Sequence, residues 1–205
     1  MLQSALSSEF TPPLPAYLRR KQKDRLFFGV RLDSYPALRV SQFGQRFCVE
    51  NHVRGTPRPR PLLHISLHHL GDHARLPARI IFAAKRAAES VSVPAFEVTL
   101  NAVTAFPVGA SPDRQSARHA LVCLAQSAGL VELHHGLGGA MQRIGLRARD
   151  HFRPHVTFLY GPDAVAQQPI EPIRFTVKDF ALIHSEVGLS KYNVIERWPL
   201  NGLAH

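Results

Sequence analysis

Twelve histidines are present, and two of them sit in matching surroundings. His64 is followed by Ile65, Ser66 and Leu67, and His155 by Val156, Thr157 and Phe158; no other histidine is followed two places on by a hydroxyl and then by an apolar residue. Side chains alternate along an extended chain, so His64 shares a face with Ser66, and His155 with Thr157, while the apolar residues face the other way. Each segment therefore presents an imidazole beside a hydroxyl. Imidazole titrates near neutrality, so one of a pair can accept a proton while the other gives one. Two hydroxyls can hold the non-bridging oxygens of a phosphate and favour the negative charge that develops on them. The chemistry this implies is displacement at a phosphodiester without a metal. The flanks repeat too: LLHISLHHLGD parallels RPHVTFLYGPD, each ending in Gly and an acidic residue within a few positions, which reads as an internal duplication.

The segments that must carry these residues show the right periods. Residues 25–32 alternate, with Leu26, Phe28, Val30 and Leu32 on one face, and read as a strand. Ser34 is placed to cap a helix over 36–51, with Leu38, Phe43, Phe47 and Val49 apolar and Pro36 in its first turn. RGTPRPRP at 54–61 is a basic loop that proline keeps out of helix and ladder. A second strand covers 62–70. A helix over 77–90 has the stripe Ile80, Ile81, Ala84, Ala88. Strands follow at 95–106 and 118–125, joined by the turn-rich PVGASPDRQS. A helix over 130–144 is weakened by Gly136, Gly138 and Gly139, and the chain closes in strands at 154–160, 173–184 and 191–200. Helices and strands in alternation with hairpin-like ends give an α+β class.

Composition bounds the function. The 205 residues, 45% hydrophobic and 20% charged, are enough for a buried core and have no apolar run long enough to span a bilayer. Residues 1–24 mix Ser, Pro and charge and read as a loosely ordered arm, without the apolar core of a secretory signal, which points to the cytoplasm. Cys48 and Cys123 stand 75 positions apart among apolar neighbours and read as buried thiols, not as a disulfide. The formal charge of +10 and pI of about 10.4 favour an anionic partner.

Over residues 24–200 the chain resembles the 2H phosphoesterase superfamily, most closely its 2'-5' RNA ligase / RNA 2',3'-cyclic phosphodiesterase branch. The resemblance rests on RLFFGV at 25–30, HISL at 64–67 followed by LGD, FEVTLNAVTAFP at 96–107, FRPHVTF at 152–158, and the closing DFALIHSEVG, Y-x-V and WPL. It implies one bilobal domain over 25–205, a pseudo-two-fold duplication with two antiparallel sheets across a central cleft, helices on the outer faces and one HxTx-type motif from each half. It implies opening of a 2',3'-cyclic phosphate on RNA or a nucleotide to a 2'-phosphate by a monomer without cofactor, and in some members the reverse 2'-5' joining. Carried over, His64 is the proton donor to the leaving 3'-oxygen, His155 the base that activates water, and Ser66 and Thr157 the phosphate holders. The chain departs from the family pattern at Ser66, where threonine is usual, and at His68 and Tyr160, which stand where arginines are common.

Strict alternation puts His68 on the face of His64 and Ser66, and Arg153 on that of His155, which makes His68 a candidate phosphate contact and Arg153 a candidate cation. Phe152 and Tyr160 are candidates for stacking a base. Three rival readings compete with the RNA enzyme. One is a metal site built from His64, His68, His69 and His73 with His134 and His135, although His68 and His69 point to opposite faces of a strand and neither cysteine pairs nor HExxH accompany them. Another is a non-catalytic RNA-binding module using the basic arm and the 54–60 loop. The last is an enzyme for a small cyclic or 2',5'-linked nucleotide.

Overall fold

The computed structural model describes residues 23–108 and 118–200. Most of the expected arm, and 109–116 of the turn-rich connection, lie outside them. The element order is β1 (Asp24–Arg31), α1 (Ser34–Glu50), β2 (Thr56–Pro57), a 3-10 turn (Arg60–Leu62), β3 (His64–His73), α2 (Ala78–Glu89), β4 (Phe96–Val108), β5 (Arg118–Gln126), α3 (Ala128–Arg143), β6 (His155–Gly161), β7 (Gln168–Val177), β8 (Asp179–Glu186) and β9 (Lys191–Pro199). Among the described residues no helix is long and apolar enough to cross a membrane.

Every strand pairing is antiparallel, and the class is α+β as the sequence predicts. The strands run β7-β4-β5-β6-β3-β1-β8-β9, with the short β2 added on β6. Two four-stranded halves, β7-β4-β5-β6 and β3-β1-β8-β9, meet where β3 touches β6 through the single pair Ile65↔Val156. Strands lie about 4.8 Å apart, so β7 and β8, six steps apart along this order, would be about 29 Å apart in a flat sheet. Only Lys178 separates them in the chain. The sheet must therefore bend sharply enough for the end of β7 to reach the start of β8.

One apolar core runs through both halves and collects Leu26, Phe28, Ile65, Leu100, Leu121, Val156 and Leu182, all fully buried. Helix α1 lays Phe43 and Phe47 against Phe158 of β6 at ring distances of 5.7 and 6.4 Å. A smaller cluster, Phe27, Ala181 and Ile183 with Tyr192 and Val194, covers the other face of β1 and β8. Burial of β1 and β8 on both faces explains why β8 reads as a continuous apolar run.

Several expected boundaries move. The segment 173–184 is two strands, because Lys178 is the crossing point and nothing like Gly or Pro marks it. Asp33, not Ser34, is the residue that precedes α1, and its side chain makes no capping bond. Val49 is 76% exposed, so it leaves the apolar stripe of α1, which buries Ala37, Val40 and Phe47. Asp24 belongs to β1 and not to the arm: it is buried and accepts a short hydrogen bond from the Nε2 of His184. Cys123 is buried, and its thiol is pushed well up by burial, whereas Cys48 is only half-buried; both thiols are free.

Candidate active site

The two motif strands are the inner strands of the two halves, and each begins at its histidine. Ile65 opposite Val156, in antiparallel sense, sets His64 across from Thr157 and Ser66 across from His155. Ile65 and Val156 are fully buried in the core, so the two histidines and two hydroxyls share the opposite face. All four line one cleft of about 350 Å³, with Arg25, Phe27, Arg58, His69, Tyr160, Glu186 and Tyr192 among its other walls.

Both imidazoles are held by the same device. His64 Nδ1 donates to the Leu62 carbonyl at 2.8 Å, and His155 Nδ1 to the Arg153 carbonyl at 2.7 Å, in each case two residues upstream. A carbonyl can only accept, so both rings carry their proton on Nδ1 when neutral and leave Nε2 as the basic nitrogen. His64 Nε2 lies 3.0 Å from Ser66 Oγ. Phe27 and Tyr192 flank the His64 ring at 5.1 and 5.4 Å, and Phe106 presses edge-on against His155 at 5.0 Å. Burial lowers the His64 pKa to about 4, assisted by the positive charge of Arg58. Burial also lowers that of His155, with Arg153 adding to the effect. Both rings are therefore neutral bases at pH 7.

The other candidates divide. Tyr160 lines the cleft. His68 does not, which corrects the alternation argument. The β1–β3 register slips between Phe28↔His68 and Gly29↔Ser66, and this bulge turns His68 into the interior, where it is 2% exposed. A second slip between Leu26 and Phe27 returns the chain, and His69, facing Phe27, is the histidine that reaches the cleft. Phe152 is also structural: His134 stacks on it at 4.1 Å and on His68 at 4.1 Å, a three-ring column away from the cleft. The Arg153 side chain lies over the Phe106 ring at 4.5 Å and does not line the cleft. Among the described residues, no three His, Cys, Asp or Glu side chains converge on a point that could hold a metal ion.

The column has a consequence for stability. His68 Nε2 bonds the His134 carbonyl at 2.8 Å, but His68 Nδ1 and both ring nitrogens of His134 are buried without partners among the described residues. Burial, with His68 and His135 beside it, lowers the His134 pKa to about 4 against the pull of Asp150. The folded state thus prefers the neutral ring, so its stability is complete above about pH 6.5 and is lost as pH falls from there toward 4. After discounting for solvent screening we expect about 1 kcal/mol to be lost at pH 5 relative to pH 7.5. His134→Phe should remove that share of the acid sensitivity in urea melts at the two pH values. An unchanged pH dependence would refute the assignment.

Several cleft residues were not singled out as candidates from the sequence, among them Arg58, Phe27 and Tyr192. Arg58 lay within the basic 54–60 loop, and Tyr192 within the closing Y-x-V, so a signal existed for both. Phe27 had none, because alternation assigned only its neighbours Leu26 and Phe28 to a buried face.

Fold and site together define an α+β protein with two histidine–hydroxyl strands meeting at one cleft. The family model described as the 2'-5' RNA ligase superfamily matches residues 38–189, and the chain belongs to that superfamily, within the 2H phosphoesterases. Solved structures of similar fold include TT0787 of Thermus thermophilus, at 22% identity and a TM-score of 0.66 over 87% of this chain and 98% of that one. E. coli LigT in apo form gives 23% identity and a TM-score of 0.62 over 87% and 98%. E. coli LigT complexed with 3'-AMP gives 23% and 0.62 over 87% and 99%. A search of the curated proteins returns no match.

Proposed function

We propose that this protein is a metal-independent, cytoplasmic cyclic phosphodiesterase that opens 2',3'-cyclic phosphate ends of RNA or nucleotides to 2'-phosphates. The observation that carries the reading is the β3–β6 register, which sets an imidazole and a hydroxyl from each half around one point of one cleft. The 3'-AMP bound by LigT, a structure of the same fold, fits a nucleotide as the occupant. Ser66 and Thr157 hold the non-bridging oxygens. His155 Nε2 takes a proton from water as its oxygen bonds to phosphorus, the bond from phosphorus to the 3'-oxygen breaks, and His64 Nε2 delivers a proton to that oxygen. In the reverse direction, 2'-5' joining, the two histidines exchange roles.

His64 must be protonated to act as the acid, yet burial lowers its pKa to about 4. A bound phosphate supplies the missing anionic neighbour, so binding and protonation are coupled. Turnover needs one proton on the pair, and both pKa values are lowered; kcat/KM should therefore peak below pH 6.5 and fall as pH rises to 8, while the kcat optimum lies higher. Imidazole NMR titration should show the His64 pKa rising by about one unit or more with a 2'-nucleotide bound. A kcat/KM profile flat from pH 5 to 8 would rule this coupling out.

The reading is tested by hydrolysis of 2',3'-cyclic nucleotides and of RNA ending in a cyclic phosphate, with chelator present. A 2'-phosphate product, formed despite the chelator, supports it, and the ratio of rates on mononucleotide and RNA sets the substrate class. No product from either substrate would refute it.

A further inference from the structure

Resting on the reading of this cleft as a phosphate site, we propose that Arg58 is the cation that binds the phosphate, in the position that alternation had offered to Arg153.

Among the described residues two arginines line the cleft, and their charges are differently placed. Arg25 is committed: its Nε and Nη2 each lie 2.7 Å from a different oxygen of Asp72, a bidentate pair to which His69 adds a third donor at 3.0 Å. Arg58 is not. Its Nε donates to the Leu62 carbonyl at 3.2 Å and its Nη2 to the Tyr192 hydroxyl, both neutral acceptors, and among the described residues no carboxylate pairs with it and Nη1 has no partner. The cleft's one acidic wall among those residues, Glu186, already faces Lys191 at 3.1 Å and the Asn193 amide at 2.9 Å. An uncompensated guanidinium in a concave site attracts an anion, and its free N–H groups suit phosphate oxygens.

Arg58 is also in the right place. The Leu62 carbonyl accepts both from Arg58 Nε at 3.2 Å and from His64 Nδ1 at 2.8 Å, so these nitrogens lie within about 6 Å of each other. The side chain is held without being neutralised, its guanidinium lying 5.7 Å from the Tyr160 ring and 5.5 Å from the Tyr192 ring. Its backbone is fixed as well. Arg58 N donates to the Phe158 carbonyl at 2.8 Å, Thr56 and Pro57 pair with Tyr160 and Leu159, and Pro57 and Pro59 restrict the chain on either side. A preset donor loses little freedom when an anion arrives. Arg153, by contrast, lies over the Phe106 ring, donates to the Gln167 amide oxygen and does not line the cleft.

The test is the binding of inorganic phosphate at pH 7 and low salt, by calorimetry, to the wild type and to Arg58→Gln, Arg58→Met, Arg153→Gln and Arg39→Gln. Arg39 lies on α1 outside the cleft and controls for net charge, and methionine keeps an apolar stem between the two tyrosines should glutamine disturb the fold. Loss of Arg58 should weaken phosphate by about 10- to 100-fold, with the other two within about twofold. The His64 pKa in the free protein should also rise in Arg58→Gln, because a nearby positive charge is removed. Phosphate affinity unchanged by loss of Arg58, a larger loss in Arg153→Gln, or no phosphate binding by the wild type at tens of millimolar would each overturn the assignment. If no cyclic ester is hydrolysed but phosphate affinity still depends on Arg58, the proposed activity falls and this inference stands. If hydrolysis needs both histidines and phosphate affinity ignores Arg58, the inference falls alone.

Discussion

Replacing either His64 or His155 with alanine should lower kcat/KM on a 2',3'-cyclic phosphate by about 10²- to 10⁴-fold, the usual worth of a positioned acid or base. Neither ring can cover for the other in the proposed reaction, because each Nδ1 is tied to the carbonyl two residues upstream and each Nε2 would serve one side of the phosphorus. The double variant should be little worse than the weaker single one, since a reaction that has lost one proton transfer gains little from the other. Both rings lie on the cleft face, and the core side of these strands is Ile65 and Val156, so the folded state loses the hydrogen bonds and ring contacts of one imidazole per variant, about 1–3 kcal/mol. Circular-dichroism melts therefore separate lost chemistry from lost structure. Retention of more than a tenth of wild-type kcat/KM by a well-folded single variant would show that its imidazole moves no proton in the rate-limiting step.

The geometry of the candidate site was legible because period two is a strong constraint over a few residues: His64 with Ser66, and His155 with Thr157, hold their shared faces. Four residues after His64 the same rule fails at His68. A bulge adds a residue to one strand without leaving a glycine or proline to announce it, and every later side chain changes sides until a second bulge restores the count. The break between β7 and β8 was hidden for a related reason, because Val177 and Phe180 both enter the core and the apolar rhythm continues across Lys178. Arg58 was visible only as part of a basic loop. Its proximity to His64 depends on how residues 54–58 lie along the edge of β6, a contact between segments about 100 residues apart that no local pattern encodes.

That strap also sets the largest stability effect we expect from one added methyl group. Residues 54–58 are pinned at one end by Asp163, which accepts from the Arg54 backbone N–H at 2.7 Å and from its guanidinium at 3.0 Å, and at the other by the bond from Arg58 N to Phe158 O. Between the pins the two backbones come close enough that only glycine fits. A Cβ on Gly161 would stand 2.0 Å from the Arg54 carbonyl oxygen and 3.2 Å from the Gly55 Cα, and the first of these is backbone that cannot rotate away. Gly161→Ala must therefore lift the strap from β6. Overpacking of this kind costs about 1–3 kcal/mol. The displacement also carries Arg58 away from the carbonyl it shares with His64, so phosphate affinity should fall about 10-fold although residue 161 does not line the cleft. In that background Arg58→Gln should cost little more, because the guanidinium has already left; a double-mutant cycle reads this as strong coupling between positions that do not touch through their side chains. Additive losses in the cycle, or wild-type phosphate binding by Gly161→Ala, would mean that the strap does not position the cation.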